Sequence, residues 1–514
     1  MPTPPQSDRR FLGPKRPNVL LVTFDQWRAD HLKALGCPLP ITPNVDALAA
    51  GGVTFAKHHT ATAPCGPSRT SMLTGRYLMG HRVVNNGTPL TAELATLPRL
   101  MTDAGYDPVL FGYTDTTLDP RLLTANDPRR TSWEQPMPGF RAGAPTGDDV
   151  GVNVDTAATA WLEWLTERGH PFPDVWSAYG VEGLAEPSSA LADHPAPYPA
   201  EFSPAAHLTA ATIDYVRGRR HPWFAHVTYL QPHPPFVLPE EWFGHVDPAD
   251  VEAPNRLADR AAESALHPLL AAFLAIPQLT EPDDWGNSRW RATYASMVAE
   301  VDDQFGRLLR AIEADGQADD TLVILTSDHG EQLGDHWLRH KLGWYPESFH
   351  VPLVMRWPAA QKASAGGPPT AGTVVESYTG HVDLLPTVLD AVALADGSIT
   401  DSFLTLFWRS ARAAGMESEG VNELASPQWL HMLNSATIQS NLQTGPKLAA
   451  MLSSNAKPNE IAEVLYLTIL SRFPTEADVK AAEEYAKLGV AKGRDAWIDL
   501  AWALVNSPEF LLRH

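Results

Sequence analysis

Short apolar runs separated by polar turns recur through the chain as far as residue 395. Asn18–Phe24 is apolar and β-branched between Pro17 and Asp25, the pattern of a strand buried on both faces of a parallel sheet. Pro108–Gly112, Trp223–Leu230, Thr321–Thr326 and Pro352–Arg356 read the same way. Helical patterns fall between them: Thr42–Ala50, closed by Gly51 and Gly52, then Leu94–Ala104, Ala206–Gly218 and Trp290–Asp315. This alternation predicts an α/β fold with a mixed, mostly parallel central sheet and helices on both faces. Residues 136–204 are rich in Pro, Gly, Ala and Asp and read as a long surface insertion, a candidate for the mouth of a site. Beyond Ala395 the pattern becomes almost wholly helical: Pro458–Ser471 is amphipathic, Thr475 with Asp478 caps a second helix, and Ser507-Pro508-Glu509 opens a last one. Two domains are therefore expected, 15–395 and an all-α region over 396–514.

Ligands collect beyond the carboxyl ends of strands in open α/β sheets, and polar clusters stand there repeatedly. Asp25-Gln26 follows the first strand, Tyr113-Thr114-Asp115 the second, His233 the third and Asp328-His329 the fourth. A single Asp after a strand is more often a capped turn; four such clusters together point to a site. Asp25, Gln26, Asp328 and His329 offer two carboxylates, an amide oxygen and an imidazole. That donor set suits Ca²⁺, Mn²⁺ or Mg²⁺ better than structural zinc, although Asp328 and His329 could equally be a capping pair.

Charge and cysteine usage narrow the classes. A formal net charge of −21 argues against a nucleic-acid partner, which needs a basic face, and leaves the substrate open. Cys37 and Cys65 make no disulfide framework. No stretch is long and apolar enough to span a membrane, and no secretory signal is visible before the first strand, so a cytoplasmic protein is expected. The most specific segment is Ala63–Arg76: Pro67 at a first helical position places Cys65 at a helix N-terminus, where free N–H groups attract an anion, and Arg69 adds a bidentate donor for tetrahedral oxyanions. For an arbitrary cysteine a small buried residue in a capped turn would be the better reading.

Cys65-Gly-Pro67-Ser68-Arg69 resembles the C-x-P-S-R motif of the sulfatases, whose cysteine is oxidised to formylglycine. The wider match, with Asp25-Gln26, His81–Thr88, Phe111–Thr114, Pro232–Phe236 and Asp328–His336, resembles the phosphonate monoester hydrolase and phosphodiesterase branch of that family within the alkaline phosphatase superfamily. The resemblance implies that Asp25, Gln26, Asp328, His329 and the formylglycine from Cys65 bind one divalent ion, Mn²⁺ or Ca²⁺ first and Mg²⁺ or Zn²⁺ after them. It implies that Arg69 and Lys341 hold the nucleophile and substrate oxygens. Asn86, Tyr113 and Thr114 would line the site, and His233 or a neighbour would protonate the leaving oxygen. A small-molecule ester substrate and a formylglycine-generating maturation enzyme follow as partners, and a homo-oligomer is compatible. Gln26 and His329 stand where many arylsulfatases carry Asp and Asn, which favours phosphonate monoesters and phosphodiesters over the alternative, an arylsulfatase. A silent binding or scaffold protein is the reading of another class, should Cys65 stay unconverted. The resemblance also implies a small α+β subdomain after His381–Asp390. Here the last residues instead resemble the end of a helical bacterial domain of unknown function, carried by Asp401–Trp408, Ala425–Asn434 and Ala501–Leu511.

Overall fold

A computed structural model describes residues 16–124, 126–130, 135–143, 154–184, 190–276, 284–341, 343–358, 370–396, 458–470, 472–481 and 494–505. The chain divides into two compact units, Met1–Ile399 and Thr400–His514.

The first unit is built on an eight-stranded sheet of β1 (Asn18–Asp25), β2 (Val53–His59), β3 (Pro108–Phe111), β4 (Arg141–Ala142), β5 (Phe224–Pro232), β6 (Thr321–Ser327), β7 (Leu353–Arg356) and β8 (Thr373–Gly380). Its spatial order is β8-β2-β7-β6-β1-β5-β3-β4. All pairings are parallel except those of β7, which runs antiparallel to both β2 and β6. The sheet is thus mixed and mostly parallel, as the alternation predicted.

Strand β1 is buried along its whole length because both of its faces are covered. Leu20, Val22 and Phe24 enter one core, and Val19 and Leu21 enter the other. The first core is filled from α1 (Pro43–Gly51), α5 (Pro204–Val216) and α6 (Asp284–Ala314); the second from α2 (Cys65–Thr74), α3 (Leu97–Asp103) and α7 (Leu384–Asp396). Helix α1 opens on Pro43 and takes its N-terminal cap from another element: Asp302 of α6 accepts from the Asn44 and Val45 N–H groups at 3.0 and 2.9 Å.

Strands β2 and β8 lie outside the runs that the pattern singled out. β8 is an edge strand, largely half-buried or exposed, and its Thr, Glu and Ser residues break the apolar run that marks a buried strand. The stretch 136–204 is more than a surface insertion. It contributes β4 and helix α4 (Val154–Glu167), and it builds its own small core around Trp161, Leu165, Tyr179 and Tyr198. In the second unit, Pro458–Leu470 and Arg494–Val505 are helices that bury Ile461, Leu465, Ala501 and Leu504, and Asp478 accepts from Thr475 N at 2.8 Å as the cap requires. Asp401–Trp408, Ala425–Asn434 and Ser507–Glu509 lie outside the described residues.

Candidate active site

Strand register brings the polar clusters together. β1 pairs in parallel with β6, Phe24 opposite Ser327, so Asp25-Gln26 and Asp328-His329 leave the sheet side by side. On the other flank Asp25 pairs with Pro232, which delivers His233 to the same carboxyl edge. Helix α2 presents Cys65 at its first position and is buried over its whole length. Gly66 is required by close approach: a Cβ there would sit 2.9 Å from the Asp115 carbonyl and 3.1 Å from Asn86 Oδ1, which accepts from the Gly66 N–H at 2.9 Å.

Arg69, fully buried, is the electrostatic hub. Its Nη2 reaches Asp25 Oδ2 and Asp328 Oδ2, each at 2.9 Å, its Nε reaches Asp115 Oδ2 at 3.3 Å, and its Nη1 donates to the Tyr113 carbonyl at 3.1 Å. The guanidinium carbon also stands 4.5 Å from the centre of the Tyr113 ring, whose hydroxyl donates to Asp25 Oδ2 at 2.7 Å. Arg69 therefore occupies the Oδ2 side of both aspartates. Their Oδ1 atoms turn toward His329 Nε2, 3.7 Å from each.

One ligand atom from each of Asp25, Cys65, Asp328 and His329 falls within 4.8 Å of the others, all four residues being buried. His329 Nδ1 lies 3.0 Å from the Gly330 carbonyl, which fixes the proton there and leaves the Nε2 lone pair free to ligate. The Gln26 amide oxygen is buried with no hydrogen-bond partner. Three carboxylates, those of Asp25, Asp115 and Asp328, face the two cations Arg69 and Lys341. This hard-oxygen and imidazole set with an excess of negative charge fits a divalent cation.

On the side of the cysteine, Lys341 Nζ donates to Cys65 Sγ and to His233 Nε2, both at 2.9 Å. His233 Nδ1 lies 2.7 Å from the Pro234 carbonyl, so its proton sits on Nδ1 and Nε2 accepts from the lysine. Burial and the adjacent Lys341 charge push the His233 imidazole down to about 3. Burial opposes the charge of Lys341, but Cys65 and Asp25 outweigh it and hold the ammonium above its ordinary range. The Cys65 thiol is pushed well up by burial and by Asp25.

Of the residues named from the sequence, Asp25, Gln26, Cys65, Arg69, Tyr113, His233, Asp328, His329 and Lys341 converge here, with Asn86 against the backbone of Gly66. Thr114 does not reach the cysteine. Its hydroxyl lies 3.2 Å from the Gln135 carbonyl and accepts from Met137 N at 2.8 Å, so it ties down the 135–137 loop. One residue placed in a strand-end cluster but given no role, and one not named at all, also belong to the site. Asp115, at φ 49°, faces Arg69. Glu331 accepts from Gln26 Nε2. Asp115 stands in the strand-end cluster after the second run, and Glu331 stands two residues past His329 inside Asp328–His336, so position next to a named ligand could have nominated Glu331.

A family model described as "Sulfatase" matches residues 17–394. The chain is 38% identical over 396 residues to the multifunctional alkaline phosphatase superfamily protein PehA of Trinickia caryophylli, covering 73% of each chain. Among solved structures it resembles the phosphonate monoester hydrolase of Agrobacterium radiobacter, with a TM-score of 0.66, 40% identity and 74% of each chain covered. The phosphonate monoester hydrolase of Silicibacter pomeroyi matches with a TM-score of 0.64 and 37% identity, over 74% of this chain and 73% of that one.

Proposed function

This chain belongs to the sulfatase family of hydrolases, and we propose that it is a formylglycine- and metal-dependent hydrolase of phosphonate monoesters and phosphodiesters, with sulfate-ester hydrolysis as a related activity. The single observation that carries the reading is the placement of Lys341 Nζ at 2.9 Å from both Cys65 Sγ and His233 Nε2, beside the donor cluster of Asp25, Asp328 and His329. The solved phosphonate monoester hydrolases at 37–40% identity support the choice of ester. Asp25, Gln26, Asp328, His329 and the converted Cys65 would hold the cation, Mn²⁺ or Ca²⁺ being the first choices. When present, the formylglycine supplies the attacking oxygen and the cation supplies Lewis-acid stabilisation.

The chain's own residues do the rest. Arg69 holds Asp25 and Asp328 in place through their Oδ2 atoms. The Gly66 N–H and Asn86 order the start of α2, whose positive dipole end favours an anion. Lys341 brings positive charge to the substrate's non-bridging oxygens. The proton shared between Lys341 and His233 Nε2 is the one available for the leaving oxygen. The converted residue, as an aldehyde hydrate, would supply a release route that needs no second displacement at phosphorus or sulfur, so one site would serve monoesters and diesters alike. Conversion of Cys65 requires a formylglycine-generating enzyme as a partner.

The test pairs intact mass of the Cys65 peptide, from cells with and without a maturation enzyme, with kcat/KM on an aryl phosphonate monoester, an aryl phosphodiester and an aryl sulfate. Conversion should switch activity on, chelation should abolish it, and the sulfate should be the slowest of the three. Preference for the sulfate would make the protein an arylsulfatase; an unconverted, inert chain would make it a scaffold.

A further inference from the structure

Gln26 is an unusual ligand to rely on, because an amide can turn either its oxygen or its NH₂ toward a cation, and the NH₂ repels one. Its backbone is fixed. The residue sits at φ 75°, a strained value for glutamine, with its N–H on Asp328 Oδ1 at 3.0 Å and its carbonyl accepting from Tyr294 Oη at 2.7 Å. What the backbone leaves open is the orientation of the amide. That is settled by Glu331, 2% exposed, whose Oε2 accepts from Gln26 Nε2. A carboxylate facing an amide at hydrogen-bond distance takes the NH₂ end, and the Gln26 Oε1 is then left buried and without a partner.

The other oxygen of Glu331 acts elsewhere. Oε1 accepts from the backbone N–H groups of Leu333, at 3.2 Å, and His340. His340 adopts φ 65° and its carbonyl accepts from Gln332 N at 2.9 Å, closing the turn whose next residue is Lys341. One side chain thus touches both halves of the site, the cation ligand and the segment that carries the lysine.

We propose that Glu331 is a positioning residue: it sets the Gln26 amide with its oxygen toward the cation and fixes the turn that presents Lys341 to Cys65. This rests on the reading of Gln26 as a ligand. Glu331→Gln would set two NH₂ groups against each other or release the 333–340 turn. The swap Gln26→Glu with Glu331→Gln restores a carboxylate facing an amide and leaves the total charge unchanged.

The experiment is calorimetric titration of Mn²⁺ into the full-length chain carrying unconverted Cys65, so that cation binding is read without turnover. Glu331→Gln should weaken binding about 10- to 100-fold, the range for partners that orient ligands, and the swap should recover most of that loss. Gln26→Ala separates the two ideas. If it weakens binding while Glu331→Gln binds as wild type, Gln26 is a ligand and the positioning role is overturned. If Gln26→Ala changes nothing, the ligand reading fails and the proposal falls with it. A folded swap that binds no better than Glu331→Gln also overturns it. Should Glu331→Gln not fold, the swap alone decides, binding near the wild-type constant supporting the proposal and loss of binding defeating it.

Discussion

Asp25 and Glu300 are equally buried, each 1% exposed, yet their neighbours set them at opposite ends of the carboxyl range. Burial pulls Asp25 up, but the charges of Lys341 and Arg69 outweigh it and hold the carboxyl well below the usual range. Glu300, on α6 beside Tyr179 and Tyr198 of the 136–204 core, has no cation among the groups that act most on it. Burial raises it to about 7, Asp303 and Glu241 add to the rise, and the Ser203 hydroxyl only partly offsets it. By distance and angle neither Glu300 oxygen has a hydrogen-bond partner among the described residues, so Ser203 acts on it only as a nearby dipole. In the first region the charges are assembled to be kept; in the second a lone carboxyl is tolerated because it can take up a proton.

If the first region is a catalytic centre, its largest response belongs to the nucleophile. Cys65→Ser supplies a hydroxyl but no aldehyde, and turnover should fall by more than about 10³-fold while Mn²⁺ binding largely survives on the remaining ligands. Full activity in Cys65→Ser, measured beside its cation affinity, would sink the formylglycine mechanism. The second response is structural. Arg69→Met leaves Asp25, Asp115 and Asp328 buried without their shared guanidinium. Removing one partner of a buried ion network costs about 3–5 kcal/mol, read as a large fall in the thermal midpoint. A variant as stable as the wild type would mean that the three carboxylates are not held by Arg69.

Much of this first region was legible in the sequence because its residues follow apolar runs directly. Asp25, Asp328 and His233 stand at strand ends, and Cys65 stands at a helix start marked by Pro67. The register that sets β1 between β6 and β5 was not legible, since pairing is decided by the whole sheet. The edge strand β8 was hidden by its polar, half-exposed residues. The core within 136–204 was hidden because Trp161, Tyr179 and Tyr198 are far apart in sequence and meet only in the fold. Glu300 was invisible for the same reason: along α6 it is one acid among several, and its isolation comes from elements packed over it.

Glu300 gives the sharpest test of the second region. Its folded value of about 7 lies above the ordinary 4.5, so between those values the folded chain holds a proton that the unfolded chain has released. Stability from this group therefore falls as pH rises through that window, with no cost below it and a constant cost of about 3 kcal/mol above it. Glu300→Gln should be stabilised relative to wild type more at pH 8 than at pH 5. Comparing thermal midpoints of both proteins at both pH values isolates Glu300, because Asp302, raised to about 6 by burial, titrates alike in each. The same pH dependence in variant and wild type would show that Glu300 is paired after all.

The smallest effect tests where the centre ends. Thr114 follows Tyr113 directly, but its hydroxyl serves the Gln135 carbonyl and the Met137 N–H, and Thr116 Oγ1 donates to it or to the Thr114 carbonyl. Thr114→Val keeps the shape and removes these bonds, leaving backbone groups of the 135–137 loop short of a partner. The Thr116–Gln135 backbone pair, at 3.2 and 2.6 Å, still anchors that loop. The cost should therefore stay near about 1 kcal/mol, seen as a slight drop in thermal midpoint, with KM and kcat essentially unchanged. A KM raised about tenfold at unaltered stability would move Thr114 into the substrate site and extend the charged centre toward the 135–137 loop, since loss of a bond worth about 1.4 kcal/mol to the substrate is what such a rise would report.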